Sequence, residues 1–408
     1  MHVQTVVIGG GQAGLSMSSV LTSYGIEHVV IERGRVANAW RTDRWDSLRL
    51  LTPNWMTRLP GYRYQGSDPD GYMATSELLR YLEEYAARIA APIAEHTTVR
   101  SVRRRDEGFV VVTDRGSWTA DAVVVATGAA ALARTPPFAS ALASDLAQFT
   151  STSYKRPSEL PDGGVLVVGA SASGAQLASE LRASGREVVL AVGRHIRMPR
   201  CYRGFDILTW FDRAGILSDP ASAVHDLHAA RRQPSLQLVG STPPRDLDLH
   251  TLQRDGVRLA GHLVGVDGRR LVFADDLRAT VDDAELKLSA VLARIDPAAN
   301  AAGLPTDPRP ERLQVPVTPQ TLDVRSERIA SVVWATGFSR SYPWLHVPVF
   351  DQGGDIRQKD GITDVPGLYT IGMRFQRVRK SNFIDGVGED ALLLGRYIAA
   401  KHGARVAA

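Results

Sequence analysis

Two segments of this chain carry the same succession of features: an apolar run, a tight group of glycines, a stretch of helical length and a second apolar run. The first segment covers residues 6–32 and the second covers residues 165–192. The two copies align glycine on glycine but differ in the residue that ends the second apolar run. That residue is Glu32 in the first copy and Val192 in the second. The duplication constrains the chain to fold two strand–turn–helix–strand units.

Each unit has the features of the phosphate-binding half of a Rossmann fold. In such a unit the first glycine makes the turn, the second lets the backbone approach a pyrophosphate, and the third lets the helix pack closely on the strand. In the first copy these are Gly9, Gly11 and Gly14, and the helix would start at Gln12 and Ala13. Free N–H groups at a helix start favour a phosphate. The first copy is therefore predicted to bind a dinucleotide.

The second copy keeps the outer glycines, Gly169 and Gly174, but has Ser171 at the middle position. Its helix would start at Ala172 and Ser173. Because the serine adds a side chain near the expected phosphates, this pattern is weaker than the first. It still follows a strand-like run and precedes a helical stretch, so it predicts a second dinucleotide site.

The residue after the second apolar run predicts which dinucleotide each copy binds. Glu32 can accept hydrogen bonds from an adenosine ribose, which predicts FAD or NAD in the first copy. A carboxylate would repel a 2′-phosphate, and the second copy has Val192 there. Arg194, His195 and Arg197 follow and could receive that phosphate, with arginine favoured for its planar fork of donors. The second copy is therefore predicted to bind NADPH in preference to NADH.

The composition is that of an ordinary globular protein with more than one domain. The length of 408 residues exceeds the usual size of a single domain. The proportions of hydrophobic residues, 44%, and charged residues, 23%, are typical of folded globular proteins. The formal charge of +4 is small for this length, and the densest basic cluster, residues 103–105, is followed by two acids. These features argue against a nucleic-acid partner.

The single cysteine, Cys201, excludes an internal disulfide and a Cys-x-x-Cys redox pair. One cysteine also fits the reducing cytoplasm. The first glycine turn begins at Gly9, which leaves no room for a signal peptide, and no apolar run is long enough to span a membrane. We therefore expect a cytoplasmic protein without a membrane span.

The order of the segments predicts one domain inserted into another. An Ala-Thr-Gly ending follows an apolar run at residues 126–128 and again at residues 335–337. The predicted fold class is α/β, with two Rossmann-like dinucleotide-binding domains and the NADPH domain inserted into the FAD domain. The predicted boundaries are 1–155 for the first part of the FAD domain, 156–329 for the NADPH domain with a helical or substrate-binding insertion, and 330–408 for the second part of the FAD domain.

Further motifs resemble a known group of enzymes. The chain is similar to the class B flavoprotein monooxygenases, which include flavin-containing monooxygenases, Baeyer–Villiger monooxygenases and YUCCA-type enzymes. The resemblance spans nearly the whole chain except residues 202–329. The motifs that carry it are Gly9 to Gly14 with Glu32, Trp40 to Leu48, Tyr154-Lys155, Gly169 to Gly174, Trp334 to Phe338, Pro366 to Tyr369, Arg379 to Phe383 and Gly386 to Ala391.

The resemblance implies an enzyme that uses FAD and NADPH. Such enzymes pass a hydride from NADPH to FAD and activate O2 as a C4a-hydroperoxyflavin, which oxygenates a small organic substrate at nitrogen, sulfur or carbon. The residues it implies for FAD are Gly9, Gly11, Gln12, Ala13, Gly14, Glu32, Arg33 and Trp40, with Val99 near the adenine. Those for NADPH are Ser171, Ala172, Ser173, Gly174 and Arg194. Further cofactor-binding candidates are Arg41, Thr127, Gly128, Gly169, His195, Thr336, Gly337, Ser381 and Asp390.

Two features depart from the family pattern. The family has Phe-x-Gly-x-x-x-His before the second glycine turn, and the matching positions here are Ser144, Leu146 and Thr150. Many relatives use an asparagine after the tryptophan-rich loop, for which Asn54 is the nearest catalytic candidate; the alternative is a turn residue beside Pro53. The lost glycine and histidine keep a second function open. In it, an NADPH-dependent FAD reductase passes electrons to a carrier protein or a quinone without oxygenation.

Overall fold

The computed structural model describes residues 1–128 and 132–403. The strands of the first part of the chain are β1 (His2–Ile8), β2 (His28–Ile31), β3 (Arg58–Leu59), β4 (Tyr62–Arg63), β5 (Ile93–Ala94), β6 (Val99–Arg104), β7 (Phe109–Thr113), β8 (Gly116–Val125), β9 (Leu132–Ala133), β10 (Ala147–Thr150), β11 (Gly164–Val168) and β12 (Val188–Ala191). The later strands are β13 (Ile196–Arg197), β14 (Cys201–Tyr202), β15 (Phe205–Asp206), β16 (Leu236–Gln237), β17 (Arg258–Ala260), β18 (Leu263–Asp267), β19 (Arg270–Phe273), β20 (Thr321–Asp323), β21 (Ile329–Trp334), β22 (Phe338–Ser339), β23 (Leu345–His346) and β24 (Leu368–Thr370).

The helices are α1 (Gln12–Ser23), α2 (Asn38–Thr42), α3 (Thr75–Arg88), α4 (Ala172–Ala183), α5 (Ile207–Arg213), α6 (Leu227–Arg231), α7 (Leu249–Arg254), α8 (Leu277–Ala301) and α9 (Ile384–Lys401). The start of α3 is fixed by Glu77, whose Oε2 accepts the backbone N–H of Ala74 at 2.7 Å. Within residues 1–128 and 132–403, no helix combines the length and the apolar character needed to cross a lipid bilayer.

The first glycine pattern folds into the centre of the larger sheet. β1 lies between β2 and β8 and pairs in parallel with both. The sheet order is β23-β6-β7-β8-β1-β2-β5, with β24 also beside β8. α9, near the end of the chain, packs on α1 so closely that a Cβ on Gly395 would lie 2.3 Å from the side chain of Val20. The C-terminal segment thus completes the first domain, as expected for an insertion.

The second glycine pattern folds into a separate parallel sheet of order β10-β21-β11-β12-β17. α4 covers one face, where its residues Leu177 and Leu181 are buried against Val165 and Val167 of β11. The antiparallel strands β18, β19 and β20 contribute to the core on the other face. Each sheet has parallel central strands with a glycine turn leading into a helix, and the first sheet adds the antiparallel strands β6 and β7. This arrangement confirms the predicted fold class.

The second sheet extends beyond the predicted range 156–329 at both ends. β10 precedes that range and β21 continues past it, and both strands pair within the second sheet. The duplication explains this, because β21 occupies the position that β8 occupies in the first domain. A Cβ on Gly9 would lie 2.6 Å from the carbonyl oxygen of Ala126, and one on Gly169 would lie 2.5 Å from that of Ala335. Each Ala-Thr-Gly segment therefore packs closely against one glycine turn.

Candidate cofactor site

We call the two glycine-turn segments, residues 6–32 and 165–192, the first and the second cradle. The first cradle has no room for side chains at its outer glycines and open space at its middle glycine. Gly9 has a φ of +112°, in the region that favours glycine. A Cβ on Gly14 would lie 1.9 Å from the carbonyl oxygen of Gly9, so α1 packs directly on the end of β1. Around the place of a Cβ on Gly11, no atom lies within 4 Å in the described part of the chain. The backbone at Gly11 is therefore open to a ligand.

The second cradle repeats this geometry. Gly169 has a φ of +105°, and a Cβ on Gly174 would lie 1.8 Å from the carbonyl oxygen of Gly169. Ser171 is the N-cap of α4, yet its side chain makes no capping hydrogen bond. Its hydroxyl instead donates to the carbonyl oxygen of Ser235 at 3.4 Å. The N-cap side chain thus leaves the first N–H groups of α4 available to an anion.

Glu32 is buried at the end of β2 and binds two backbone segments of the first cradle. Its Oε2 accepts the N–H of Gly10 at 2.7 Å, and its Oε1 accepts the N–H of Gly34 at 3.0 Å. A carboxylate oxygen has two lone pairs, so each can accept a further hydrogen bond. Glu32 is therefore fixed in the position where a Rossmann unit binds a ribose.

One cavity of about 620 Å³ joins the two cradles. The first domain contributes Gly11, at the turn, and Val99, at the start of β6. The second domain contributes Ala172 and Ser173, the first two residues of α4. The loop of residues 48–52 supplies part of the remaining wall. Ligands held by the two cradles would therefore meet in the same space.

The cavity wall contains many of the site residues predicted from the sequence. Those that line it are Gly9, Gly11, Gln12, Ala13, Glu32, Arg33, Trp40, Val99, Thr127, Gly128, Ala172 and Ser173. Those that do not line it are Gly14, Arg41, Asn54, Gly169, Ser171, Gly174, Arg194, His195, Thr336, Gly337, Ser381 and Asp390. Three residues of the second group, Gly14, Gly169 and Gly174, shape the two turns through backbone packing.

Arg41 and Thr336 are engaged away from the cavity. Arg41 Nη2 donates to Oε1 of Glu83 on α3 at 2.6 Å, so an ion pair in the first domain uses its charge. The Thr336 hydroxyl donates to the carbonyl oxygen of Arg134. The next residue, Gly337, accepts the N–H of Arg134 through its own carbonyl oxygen at 2.9 Å. These contacts anchor chain segments, and the geometry does not bring the three predicted residues to the cavity.

Asn54 is buried and cross-links its own loop. Its Nδ2 donates to the carbonyl oxygen of Asp68 at 2.9 Å, and its Oδ1 accepts the N–H of Met73 at 2.8 Å. Because backbone groups use both ends of the amide, Asn54 holds the loop together. Of the two alternatives from the sequence, the geometry favours the structural one over the catalytic one.

Arg194 is the one of the three basic residues after β12 that is free to bind a phosphate. It is exposed, and its side chain has no hydrogen-bond or ion-pair partner in the described part of the chain. His195 is buried with Nδ1 3.1 Å from the carbonyl oxygen of Gly193, and burial lowers the pKa of its imidazole. The neutral ring offers no positive charge. Arg197 is buried and bonded to Asp248 at 2.8 Å.

Ser381 precedes α9, Asp390 lies within it, and both side chains are buried. The Ser381 hydroxyl accepts the N–H groups of Arg377 and Val378 at 3.1 and 3.0 Å. Asp390 is fully buried, and its Oδ1 accepts a 2.8 Å hydrogen bond from Nε of Arg377. Burial raises the pKa of Asp390, against the opposing effect of hydrogen bonds from Ser381 and Arg377. The pair fixes the turn that carries residues 382–383 into the cavity wall.

Arg44 is a cavity residue that sequence reasoning did not single out. Its guanidinium carbon lies 5.0 Å from the ring centre of Trp40, and its Nη1 donates to the carbonyl oxygen of Asp43 at 2.8 Å. Burial lowers the pKa of this guanidinium. The nearby charge of Asp43 opposes this effect, but no ion pair within residues 1–128 and 132–403 includes Arg44. The motif of residues 40–48 indicates that this segment belongs to the cofactor site, but it does not show which of its arginines faces the cavity.

The loop wall of the cavity is held by the second domain. Arg200 is 1% exposed, and its Nη1 donates to the carbonyl oxygen of Leu51 at 2.9 Å. The same guanidinium pairs with Asp206 and lies 4.8 Å from the ring centre of Tyr72. This clamp joins the domains beside the cavity. The sequence did not indicate it, because the partners are far apart along the chain.

Two Rossmann-like domains whose cradles open into one cavity define a class of oxidoreductase that uses two dinucleotides. Comparison with known sequences agrees with this class. The family described as pyridine nucleotide-disulphide oxidoreductase matches residues 6–200. A CzcO-like oxidoreductase from Geobacillus kaustophilus, itself uncharacterized, is 34% identical over 392 residues, which cover 95% of this chain and 96% of that protein. The chain belongs to the CzcO-like oxidoreductase family.

Two further comparisons concern monooxygenases. The probable indole-3-pyruvate monooxygenase YUCCA1 of Arabidopsis thaliana is 30% identical over 181 residues, which cover 43% of this chain and 44% of that protein. The structure of a flavin-containing monooxygenase from Stenotrophomonas maltophilia has a TM-score of 0.69 at 21% identity, with coverage of 98% of this chain and 99% of that chain. At that identity the structural likeness shows the fold. Together the comparisons confirm the predicted resemblance to the flavoprotein monooxygenase superfamily.

Proposed function

We propose that this protein is an NADPH-dependent flavin monooxygenase that acts on a small organic substrate. In this proposal the first cradle binds FAD and the second binds NADPH. The observation that carries it is the single cavity of about 620 Å³ lined by both cradles, because hydride transfer requires two bound dinucleotides to meet. When bound, FAD would accept a hydride and, once reduced, react with O2.

The residues of the first cradle fit FAD. Gly11 presents open backbone where a pyrophosphate approaches, and Glu32 is fixed where a ribose is expected. Trp40 lines the cavity, with its Nε1 donating to Oε1 of Gln12 at 3.2 Å. Arg44, stacked on Trp40, adds a positive charge that suits an anionic dinucleotide. These residues would bind and orient the flavin cofactor.

The residues of the second cradle fit NADPH. The start of α4, at Ala172 and Ser173, faces the cavity and suits a pyrophosphate. Arg194 follows β12 at the position of an adenosine ribose, is exposed and has no partner in the described part of the chain. Its free fork of donors supports a 2′-phosphate there, and so NADPH over NADH.

The end of the cavity at α9 supports reduction chemistry. Asn382, Phe383 and Ile384 line the wall where this helix begins. The positive end of a helix dipole favours negative charge, which a reduced flavin ring carries. Leu50 and Leu51 add an apolar wall that excludes water. Such surroundings suit a reaction that must protect a reactive oxygen species from water.

The test is to follow reduction and oxygen use separately. The FAD-loaded protein is mixed with NADPH without oxygen, and loss of the flavin absorbance is recorded. Oxygen labelled with ¹⁸O is then admitted with a panel of small amines, sulfides and ketones, and label in the product is compared with peroxide released. Bleaching followed by labelled product supports the proposal. Complete recovery of the electrons as peroxide with every substrate contradicts the oxygenation step.

A second candidate is a reductase that passes electrons from NADPH through FAD to a carrier protein or quinone. It is favoured by the absence of the family's glycine and histidine before the second cradle, where this chain has Leu146 and Thr150. The Thr150 hydroxyl is 2.8 Å from that of Thr152 and belongs to a local turn network. Fast turnover with a quinone or ferredoxin, and no ¹⁸O in any product, would identify this function.

A further inference from the structure

Three arginines lie close together where the two domains touch. Arg231 ends α6 in the second domain, whereas Arg340 and Arg374 belong to the first domain. We call these three the rim arginines. Burial, and next the positive charge of Arg340, lower the pKa of both Arg231 and Arg374. Arg340 is therefore close enough to both Arg231 and Arg374 for its positive charge to act on them.

The rim arginines have few acidic partners. Arg340 Nη2 pairs with Asp355 Oδ2 at 2.6 Å. Asp355, and next Asp351, also favour the charge of Arg231. The Oδ1 atom of Asp351 accepts backbone N–H groups of its own turn. In the described part of the chain, neither Arg231 nor Arg374 forms an ion pair, and their hydrogen bonds go to backbone carbonyls. Positive charge thus exceeds negative charge at this place.

Each rim arginine stands close along the chain to a cavity-lining residue. Ser341 follows Arg340, Gly372 precedes Arg374 by two residues, and Ser235 follows Arg231 by four residues. The three arginines do not line the cavity themselves, but each lies within four residues of its wall along the chain. An arginine has five N–H donors, and the contacts above use one of Arg374's and two of Arg231's. The remaining donors can bind an anion beside the cavity wall.

The backbone around this cluster is connected to the second cradle. Nη1 of Arg374 donates to the carbonyl oxygen of Gln233 at 2.9 Å. Two residues further on, the carbonyl oxygen of Ser235 accepts the hydroxyl of Ser171, the N-cap of α4. In a Rossmann unit the pyrophosphate sits at this helix start, whereas the adenosine ribose sits at the end of the second strand. The cluster is therefore on the pyrophosphate side and Arg194 is on the ribose side.

We propose that the rim arginines bind the pyrophosphate group of the nicotinamide cofactor, so that the first domain helps to hold a ligand of the second. This inference rests on the proposed function, in which the second cradle takes NADPH. Arg374 and Arg231 carry the free donors, and Arg340 adds charge. Binding would also bring the two domains together around the cavity.

The experiment measures binding of NADP⁺ and NAD⁺ to the FAD-loaded protein by calorimetry, so that no turnover is needed. In R374Q, both dissociation constants should rise by the same factor, about 10- to 100-fold for a lost charge-assisted contact. In R194Q, only that of NADP⁺ should rise. R374K should recover part of the affinity. R269Q, which removes an exposed pair with Asp145, is the control and should change neither.

Each outcome decides a different claim. Unchanged binding of both nucleotides in R374Q overturns the role of the rim arginines and leaves the proposed function standing. Weakening of NADP⁺ alone assigns the cluster to the 2′-phosphate and also overturns the proposal. Wild-type protein that binds neither nucleotide overturns this proposal and the second-cradle assignment together. If R374Q does not fold, R231Q carries the same expectation, and inorganic pyrophosphate should compete with NADP⁺ in the wild type but not in R231Q.

Discussion

The backbone N–H of Gly10 donates a 2.7 Å hydrogen bond to Oε2 of Glu32 and so ties the first glycine turn to the end of β2. The other carboxylate oxygen accepts the N–H of Gly34 at 3.0 Å. One buried side chain thus holds two backbone segments and keeps lone pairs for a ribose. The second cradle has Val192 in this place, whose side chain has no hydrogen-bond acceptor.

Replacement E32Q should weaken FAD binding. The amide oxygen of glutamine can accept one of the two N–H groups, but the amide NH2 would face the other, donor against donor. We expect the dissociation constant of FAD to rise about 10- to 100-fold, measured by fluorescence titration of the apoprotein. E27Q, at an exposed residue directly before β2, is the matched control. Equal FAD affinity in E32Q and E27Q would show that Glu32 is not a ribose ligand.

Replacement G11A should separate folding from cofactor binding. Gly11 has a φ of −84°, which alanine adopts readily, and the space for a Cβ is open. The apoprotein should therefore melt at the temperature of the wild type. The methyl group would occupy the approach of the pyrophosphate, so FAD affinity should fall by at least about tenfold. G265A, where a Cβ would meet only Val272 at 3.9 Å, should retain FAD. A fully loaded G11A protein would contradict the placement of the pyrophosphate.

Replacement R194Q should change the choice between the two nicotinamide cofactors. Loss of the guanidinium removes a charge-assisted contact to the 2′-phosphate, so the dissociation constant for NADPH should rise about 10- to 100-fold. That for NADH should stay the same, because NADH lacks this phosphate. H195Q should preserve the NADPH to NADH ratio, since burial keeps the imidazole neutral. A ratio altered by H195Q and not by R194Q would reverse the assignment.

Replacement D219N should lower stability in a pH-dependent way. The Asp219 carboxylate binds both Nη atoms of Arg294 at 2.7 and 2.8 Å and Arg379 at 3.1 Å. Hydrogen bonds, chiefly those from Arg294, hold the pKa of this carboxyl below its ordinary value. We expect the free energy of unfolding at neutral pH to fall by about 1–3 kcal/mol. D283N, in an exposed pair with Lys287, should cost at most about 1 kcal/mol.

The sign of the pH effect follows from the lowered pKa of Asp219. A carboxyl with a lower pKa in the folded state stabilises the fold above its unfolded pKa, which is about 4. This contribution is lost as pH falls through the folded pKa. The difference between wild type and D219N, measured by urea unfolding, should therefore be constant near neutral pH and shrink in acid. A difference that grows as pH falls would contradict the ion-pair account.

The glycine turns and the fold class could be predicted from the sequence because they depend on local rules. A turn that needs a φ above +100° requires glycine at Gly9 and Gly169, and packing at Gly14 and Gly174 forbids a side chain. The Ala-Thr-Gly repeat also indicated the insertion. Its strand, β21, pairs between β10 and β11, so the second sheet extends past residue 329.

Side-chain direction could not be predicted in the same way. Arg41 and Arg44 lie in one motif, yet Arg41 pairs with Glu83 while Arg44 faces the cavity. That choice depends on the packing of α3 and on Lys155, whose Nζ donates to the carbonyl oxygen of Arg44 at 2.8 Å. The sequence also predicts His195 as a phosphate ligand, but burial lowers the pKa of its imidazole and keeps the ring neutral. Long-range packing decides such cases, and spacing along the chain does not encode it.

The most direct test of the account is reduction of the bound flavin through the second cradle. FAD-loaded wild type, S173D and S173N are mixed with NADPH without oxygen, and the flavin absorbance is followed. The aspartate of S173D would stabilise the first turn of α4 but repel a pyrophosphate. The asparagine of S173N has the same size without the charge. Rapid bleaching in wild type and S173N, with slow bleaching in S173D at full FAD content, is the predicted result. Wild type that does not bleach, or S173D that bleaches as fast, would contradict the account.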